Sequence, residues 1–169
     1  QWTVEGVTVR DAYASGIAAR YTDGAWTVRD TTLQGPASDG IDASQSVSGW
    51  EADNVTVSNA DNGIRAFNTS GAWTVSDSRL RNSSGAGIDV SRSSATWTVV
   101  ASTVRNSSDA GIDAAFSSGA WTVRESAFVY NGVRGAAQSG TPAGEATRDC
   151  AGSGRGPPGV TGAGRVDAS

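Results

Sequence analysis

The chain has 169 residues, with 13 basic against 17 acidic side chains and a net charge of −4. That length suits one domain, and without a positive excess there is no counterion-release drive for gripping nucleic acid. There is no Lys, His or Met and one cysteine, Cys150, which excludes His-dependent triads, His or Cys-rich metal sites and an internal disulfide; no apolar run reaches the length of a membrane-spanning helix.

Tryptophan marks a repeat. Trp2, Trp26, Trp50, Trp73, Trp97 and Trp121 are separated by 24, 24, 23, 24 and 24 residues. Five of them open Trp-Thr-Val; the third opens Trp50-Glu51-Ala52. Seven residues after each Trp stand Val9, Leu33, Val57, Leu80, Val104 and Phe128. Then comes Gly-Ile, at Ile17, Ile41, Ile64, Ile88 and Ile112, followed two residues later by Ala19, Ala43, Ala66, Val90 and Ala114. The third repeat is one residue short, and the loss falls before Gly63. The sixth begins well but has Ala136 where the Ile is due.

Each unit therefore holds three short segments of period 2 between polar, Gly-rich corners, and period 2 means strand. Segments this short bury a face only by stacking on copies of themselves. Leucine-rich repeats are excluded by a chain whose only leucines are Leu33 and Leu80, and helical repeats by the lack of any sustained 3.6-residue stripe. The sequence predicts an all-β fold over residues 1–138: a single-stranded parallel β-helix of about six coils of 24 residues, three strands per coil, right-handed as parallel crossovers are. Residues 139–169, rich in Gly and Pro and lacking the repeat, read as a disordered tail or a linker. Open strand edges at both ends need covering. Caps from a longer parent chain, or end-to-end stacking, are the expected partners there, and the start at Gln1 reads as a piece of a precursor.

Parity with the following Val places the tryptophans inward or at a corner, as packing; the other reading is an exposed aromatic ladder for sugars. Asn59, Asn82 and Asn106 share one corner and are expected to bond amide to amide, which would leave them hard to reach. Asn68, in a predicted loop, is the best N-glycosylation acceptor. Arg79, Arg81 and Arg105 form a small basic patch that reads as a solvated face or a contact for an acidic glycan.

Trp-Thr-Val, the apolar residue, Asn and Gly-Ile together resemble the right-handed parallel β-helix repeat of the pectate-lyase-like superfamily, closest in flavour to NosD-like repeat proteins. The likeness covers residues 1 to about 138. It implies an exported or cell-surface module that acts as scaffold or carbohydrate-binding surface, with a polysaccharide or cell-surface glycan as partner. The residue after each Ile faces outward: Ala18, Asp42, Arg65, Asp89 and Asp113 up the stack. Rung spacing would put Arg65 about 5 Å from two carboxylates and Asp89 as close to Asp113. In a polysaccharide lyase, the resemblance implies Asp42, Arg65, Asp89 and Asp113 against the substrate, Ca²⁺ on Asp89 and Asp113, and Arg65 as the base of β-elimination. The plainer reading is a surface ladder in which Asp belongs to the repeat. A copper accessory role, the third implication, fits poorly, because soft copper sites want Cys, Met or His and only Cys150 is present.

Overall fold

A computed structural model describes residues 1–132 and the strand segments 136–137, 144–147 and 151–153. Every described strand pairs in parallel with its counterpart one coil away, giving three sheets that run the length of the column. The first face stacks Trp2–Glu5, Trp26–Arg29, Trp50–Asp53, Trp73–Ser76, Trp97–Val100, Trp121–Arg124 and Gly144–Thr147. The second stacks Thr8–Arg10, Thr32–Gln34, Thr56–Ser58, Arg79–Arg81, Thr103–Arg105, Ala127–Val129 and Ala151–Ser153. The third stacks Ile17–Ala18, Ile41–Asp42, Ile64–Arg65, Ile88–Asp89, Ile112–Asp113 and Ala136–Ala137.

The register is the one the repeat dictates. Trp26 lies opposite Trp50, Leu33 opposite Val57 and Ile41 opposite Ile64. The missing residue of the third repeat is thus absorbed in the corner before Gly63 without shifting any strand. Five circuits from Trp to Trp are complete, and a sixth opens at Trp121, against the expectation of about six coils. Of the expected tail, only Gly144–Thr147 and Ala151–Ser153 are described, and they pair with Trp121–Arg124 and Ala127–Val129. The remainder of 139–169, including Cys150, lies outside the described residues.

The core is the set of inward columns. Val28, Ala52, Val75, Val99 and Val123 are buried beneath the first face. Leu33, Val57, Leu80, Val104 and Phe128 fill the second and Ile41, Ile64, Ile88 and Ile112 the third. Burying each Val, Leu, Ile or Phe among them is worth about 1.5–3 kcal/mol. The tryptophans also point in. Trp26, Trp50, Trp73 and Trp97 are buried, and successive rings lie 4.8 to 5.6 Å apart and within 15° of parallel. No space remains between them for a ligand, so the stack is packing and not an exposed sugar ladder. Gly-Ile has a steric reason: a Cβ on Gly40 would sit 2.3 Å from Val57 Cγ1 and 2.4 Å from the Gly63 carbonyl oxygen of the next coil.

The corners are where the chain departs from a simple strand pattern. Each of the three bends per coil passes through a left-handed residue, and among the described residues fifteen non-glycine residues do so. One column of corners is Asp30, Asn54, Asp77, Ala101 and Glu125; another is Asp11, Asn59, Asn82, Asn106 and Tyr130; the third is Tyr21, Gln45, Asn68, Arg92 and Phe116. The conformation costs an L-residue roughly 1–2 kcal/mol, least for Asn and Asp. Hydrogen bonds between coils offset it, for example from Asn82 N–H to the Arg105 carbonyl at 3.1 Å and from Arg92 N–H to the Ala115 carbonyl at 2.9 Å.

A buried hydroxyl usually follows the corner. Ser78, Ser102 and Ser126 are buried one residue past the first corner. Ser102 Oγ accepts from Ser78 N–H at 3.1 Å, and Ser126 Oγ accepts from Ser102 N–H at 3.1 Å. Ser46, Thr69, Ser93 and Ser117 repeat the placement past the third corner. These hydroxyls satisfy backbone groups that the sharp turn takes out of the ladder, which matters because an unmade buried hydrogen bond is expensive.

Candidate functional site

The third face carries the charged constellation. Asp42 lies in register with Arg65, Arg65 with Asp89, and Asp89 with Asp113. The side chains do not pair as evenly as the register suggests. Arg65 Nε is 3.6 Å from Asp89 Oδ2, whereas Asp42 is held by Arg20 from the preceding coil. That pairing leaves Asp42 fully covered although it projects from the outer side of the sheet, and it drives the Arg20 guanidinium further above its ordinary range.

Each aspartate also closes a turn. Asp42 Oδ1 accepts from Ser44 N–H, Asp89 Oδ1 from Ser91 N–H and Asp113 Oδ1 from Ala115 N–H, all at 3.0 Å. An Asp side chain bonding the backbone two residues on is a turn device. It explains why Asp follows Gly-Ile in three of the five units without calling on chemistry.

Beside this row lies Asp39, 2% exposed. Its Oδ1 accepts from Asn62 Nδ2 at 2.8 Å, and Asn62 Oδ1 accepts in turn from Ala86 N–H at 3.0 Å. Burial pushes the Asp39 carboxyl above its usual range, the Asn62 hydrogen bond opposes this, and the charge of Asp42 adds to it. Asp39 carries no repeat signal, because Ser15, Asn62, Ala86 and Ala110 occupy the same place in other coils. An acidic residue directly before Gly-Ile was its only mark in the sequence.

Phe67 completes the face. The Arg65 guanidinium carbon is 5.2 Å from the ring centroid and that of Arg92 is 5.8 Å, within cation–π range. Arg65 is thus engaged twice, by Asp89 and by Phe67.

A dedicated Ca²⁺ site does not fit these donors. Calcium takes six to eight oxygens, and among the described residues no three carboxylate, His or Cys side chains gather to hold a metal ion. Asp89 offers Oδ1 to a turn and Oδ2 to Arg65, which leaves Asp113 as the less committed of the two expected ligands.

On the second face Arg79, Arg81 and Arg105 come together. Leu80 is buried between two exposed arginines, and Arg81 lies in register with Arg105. Along the corner that follows, Asn82 Nδ2 donates to Asn59 Oδ1 and Asn106 Nδ2 to Asn82 Oδ1, each at 3.1 Å. The ladder is the expected one, yet its members are exposed and not hard to reach, because the left-handed corner turns the amides outward. Asn68 is exposed as well.

No curated protein and no solved structure matches the chain. A family model described as the right-handed beta helix region matches residues 1–147. Trp-to-Trp circuits, three parallel faces and that match agree, and the chain belongs to the right-handed β-helix family.

Proposed function

We propose that this β-helix is a carbohydrate-binding surface of an exported or cell-surface protein, a scaffold that displays polar side chains without turning substrate over. The observation that carries the reading is the outer row of the first face, Thr3, Thr27, Glu51, Thr74, Thr98 and Thr122, held in register by the strand pairing. A linear polymer lying along the column meets a comparable polar group at every coil, about 4.8 Å apart. The engagement of Asp42, Asp89 and Arg65 in turns and ion pairs also favours display over catalysis. Affinity electrophoresis through gels containing neutral or acidic polysaccharides tests this: retardation without product is expected, and free migration through every polymer refutes it. Fractionation of the source cells tests the location.

The second reading is a polysaccharide lyase, favoured by Arg65 standing in register between Asp42 and Asp89. It requires unsaturated uronate absorbance that disappears in Arg65→Ala. Binding without that absorbance leaves the first reading in place.

A further inference from the structure

We propose that the second face binds a glycan bearing carboxylate or sulfate groups, with Arg79, Arg81 and Arg105 taking the acid groups and Asn82, Asn106 and Tyr130 the sugar. The assignment rests on the carbohydrate-binding reading and adds to the threonine row of the first face a second contact surface and a chemical class of ligand.

The starting observation is a like-charge cluster left uncompensated. Arg79 and Arg81 flank the buried Leu80 and so project from the same side of the sheet. Arg105 stands one rung from Arg81, about 4.8 Å along the column. Like charges placed opposite each other in a sheet are unfavourable. Elsewhere the fold relieves such charges, with Asp42 on Arg20 and Asp89 on Arg65. Among the described residues no carboxylate lies within ion-pair distance of Arg79, Arg81 or Arg105. The chain as a whole is acidic, so the cluster does not follow from general basicity. A depression of about 430 Å³ lies over it, lined by the three arginines, Leu80 and the threonines Thr56 and Thr103.

Guanidinium groups bind planar or tetrahedral oxyanions through paired N–H donors. What surrounds them decides the kind of ligand. Asn82 directly follows Arg81 and Asn106 directly follows Arg105, and their amides are exposed in a bonded row with one-coil spacing. Amides and threonine hydroxyls suit sugar hydroxyls. One rung further along the same corner stands Tyr130, 74% exposed and left-handed, offering one ring face for a sugar to stack on. Nucleic acid would extend a longer run of phosphates against an otherwise acidic protein, and a single ring is a poor platform for successive bases.

Affinity electrophoresis of the full chain is run against alginate, dextran sulfate and neutral dextran, with single-stranded DNA binding measured alongside. Retardation by alginate or dextran sulfate and not by neutral dextran is expected, and the stronger of the two identifies the acid group. Arg81→Ala combined with Arg105→Ala weakens binding about tenfold or more. Arg81→Lys with Arg105→Lys keeps the charge but recovers only part of the affinity, since the paired donors are gone. Tyr130→Ala weakens binding severalfold, and Arg92→Ala, an exposed arginine at the third corner and away from both the first and second faces, leaves it unchanged. All of these side chains lie at the surface, and unaltered melting curves show that the variants fold. If wild type binds no polysaccharide, the carbohydrate-binding reading itself fails. If it binds anionic glycan but the double alanine variant binds equally well, this site is wrong while that reading stands. Equal retardation by neutral dextran removes the anionic class, and equal affinity for DNA with the same loss in the variant overturns the glycan assignment.

Discussion

Replacing Ser102 by Ala tests whether the buried hydroxyls past the corners hold the coils together. Ser102 is 2% exposed; its Oγ donates to the Val100 carbonyl at 2.8 Å and accepts from Ser78 N–H at 3.1 Å. Removing the hydroxyl leaves the Val100 carbonyl one partner, Asp77 N–H at 3.2 Å, so that group is only weakened. The Ser78 N–H loses its acceptor inside the protein. An orphaned buried donor costs about 1–3 kcal/mol, and for a chain of this size each kcal/mol lowers the melting temperature by about 2–4 °C. Ser102→Ala is therefore expected to melt about 2–12 °C below wild type and to unfold at lower urea, followed by fluorescence of the stacked tryptophans. Ser102→Thr is the control: Thr31 already occupies this column and donates to the Arg29 carbonyl at 2.7 Å. It is expected to match wild type. If Ser102→Ala lies within about 0.5 kcal/mol of wild type, the scale of an ordinary surface change, or if Ser102→Thr is as damaging as Ala, the hydroxyl column is not structural.

Asp39→Asn should raise stability at neutral pH. Burial lifts the folded-state carboxyl above its unfolded range, so the stability this group contributes is present in acid and lost as pH rises through the folded value; urea titrations across pH should show the advantage of Asn shrinking as the medium is acidified, and a constant difference counts against the assignment. Trp73→Ala opens a gap in the middle of the ring stack and should cost about 3–5 kcal/mol, whereas Trp2→Ala, at a position already 37% exposed, should cost much less by the same urea assay. Gly40→Ala forces a Cβ against Val57 and the Gly63 carbonyl and should give little soluble protein, while Gly24→Ala, whose nearest neighbour would be 3.7 Å away, should express normally. Equal yields of the two would show that the close approach at Gly40 is not what fixes glycine there.

The coil itself was legible in the sequence. A spacing of 24 residues between tryptophans, with alternation inside each segment, leaves few ways to bury Val28, Leu33 and Ile41 other than stacking each on its own copy. Local alternation sets which side of a strand is apolar, and the repeat length sets the register. Which partner a polar side chain takes was decided by the tertiary structure. Arg65 was placed between two aspartates by counting, yet Arg20 reaches Asp42 first, because the corner after the third strand brings residue 20 back over the next coil. The left-handed bends at Tyr21, Ala101 and Phe116 gave no warning in residues that seldom adopt that conformation; at Tyr21 and Ala101 it is held by hydrogen bonds from their N–H groups to the Ser44 and Arg124 carbonyls of the next coil. The serines past the corners looked like ordinary turn residues, although Ser78, Ser102 and Ser126 recur at a constant distance from Trp and that periodicity was the available signal. Pattern in the chain fixes what repeats; charge pairing, bend geometry and the unpaired arginines of the second face depend on contacts between coils, which exist only once the column is wound.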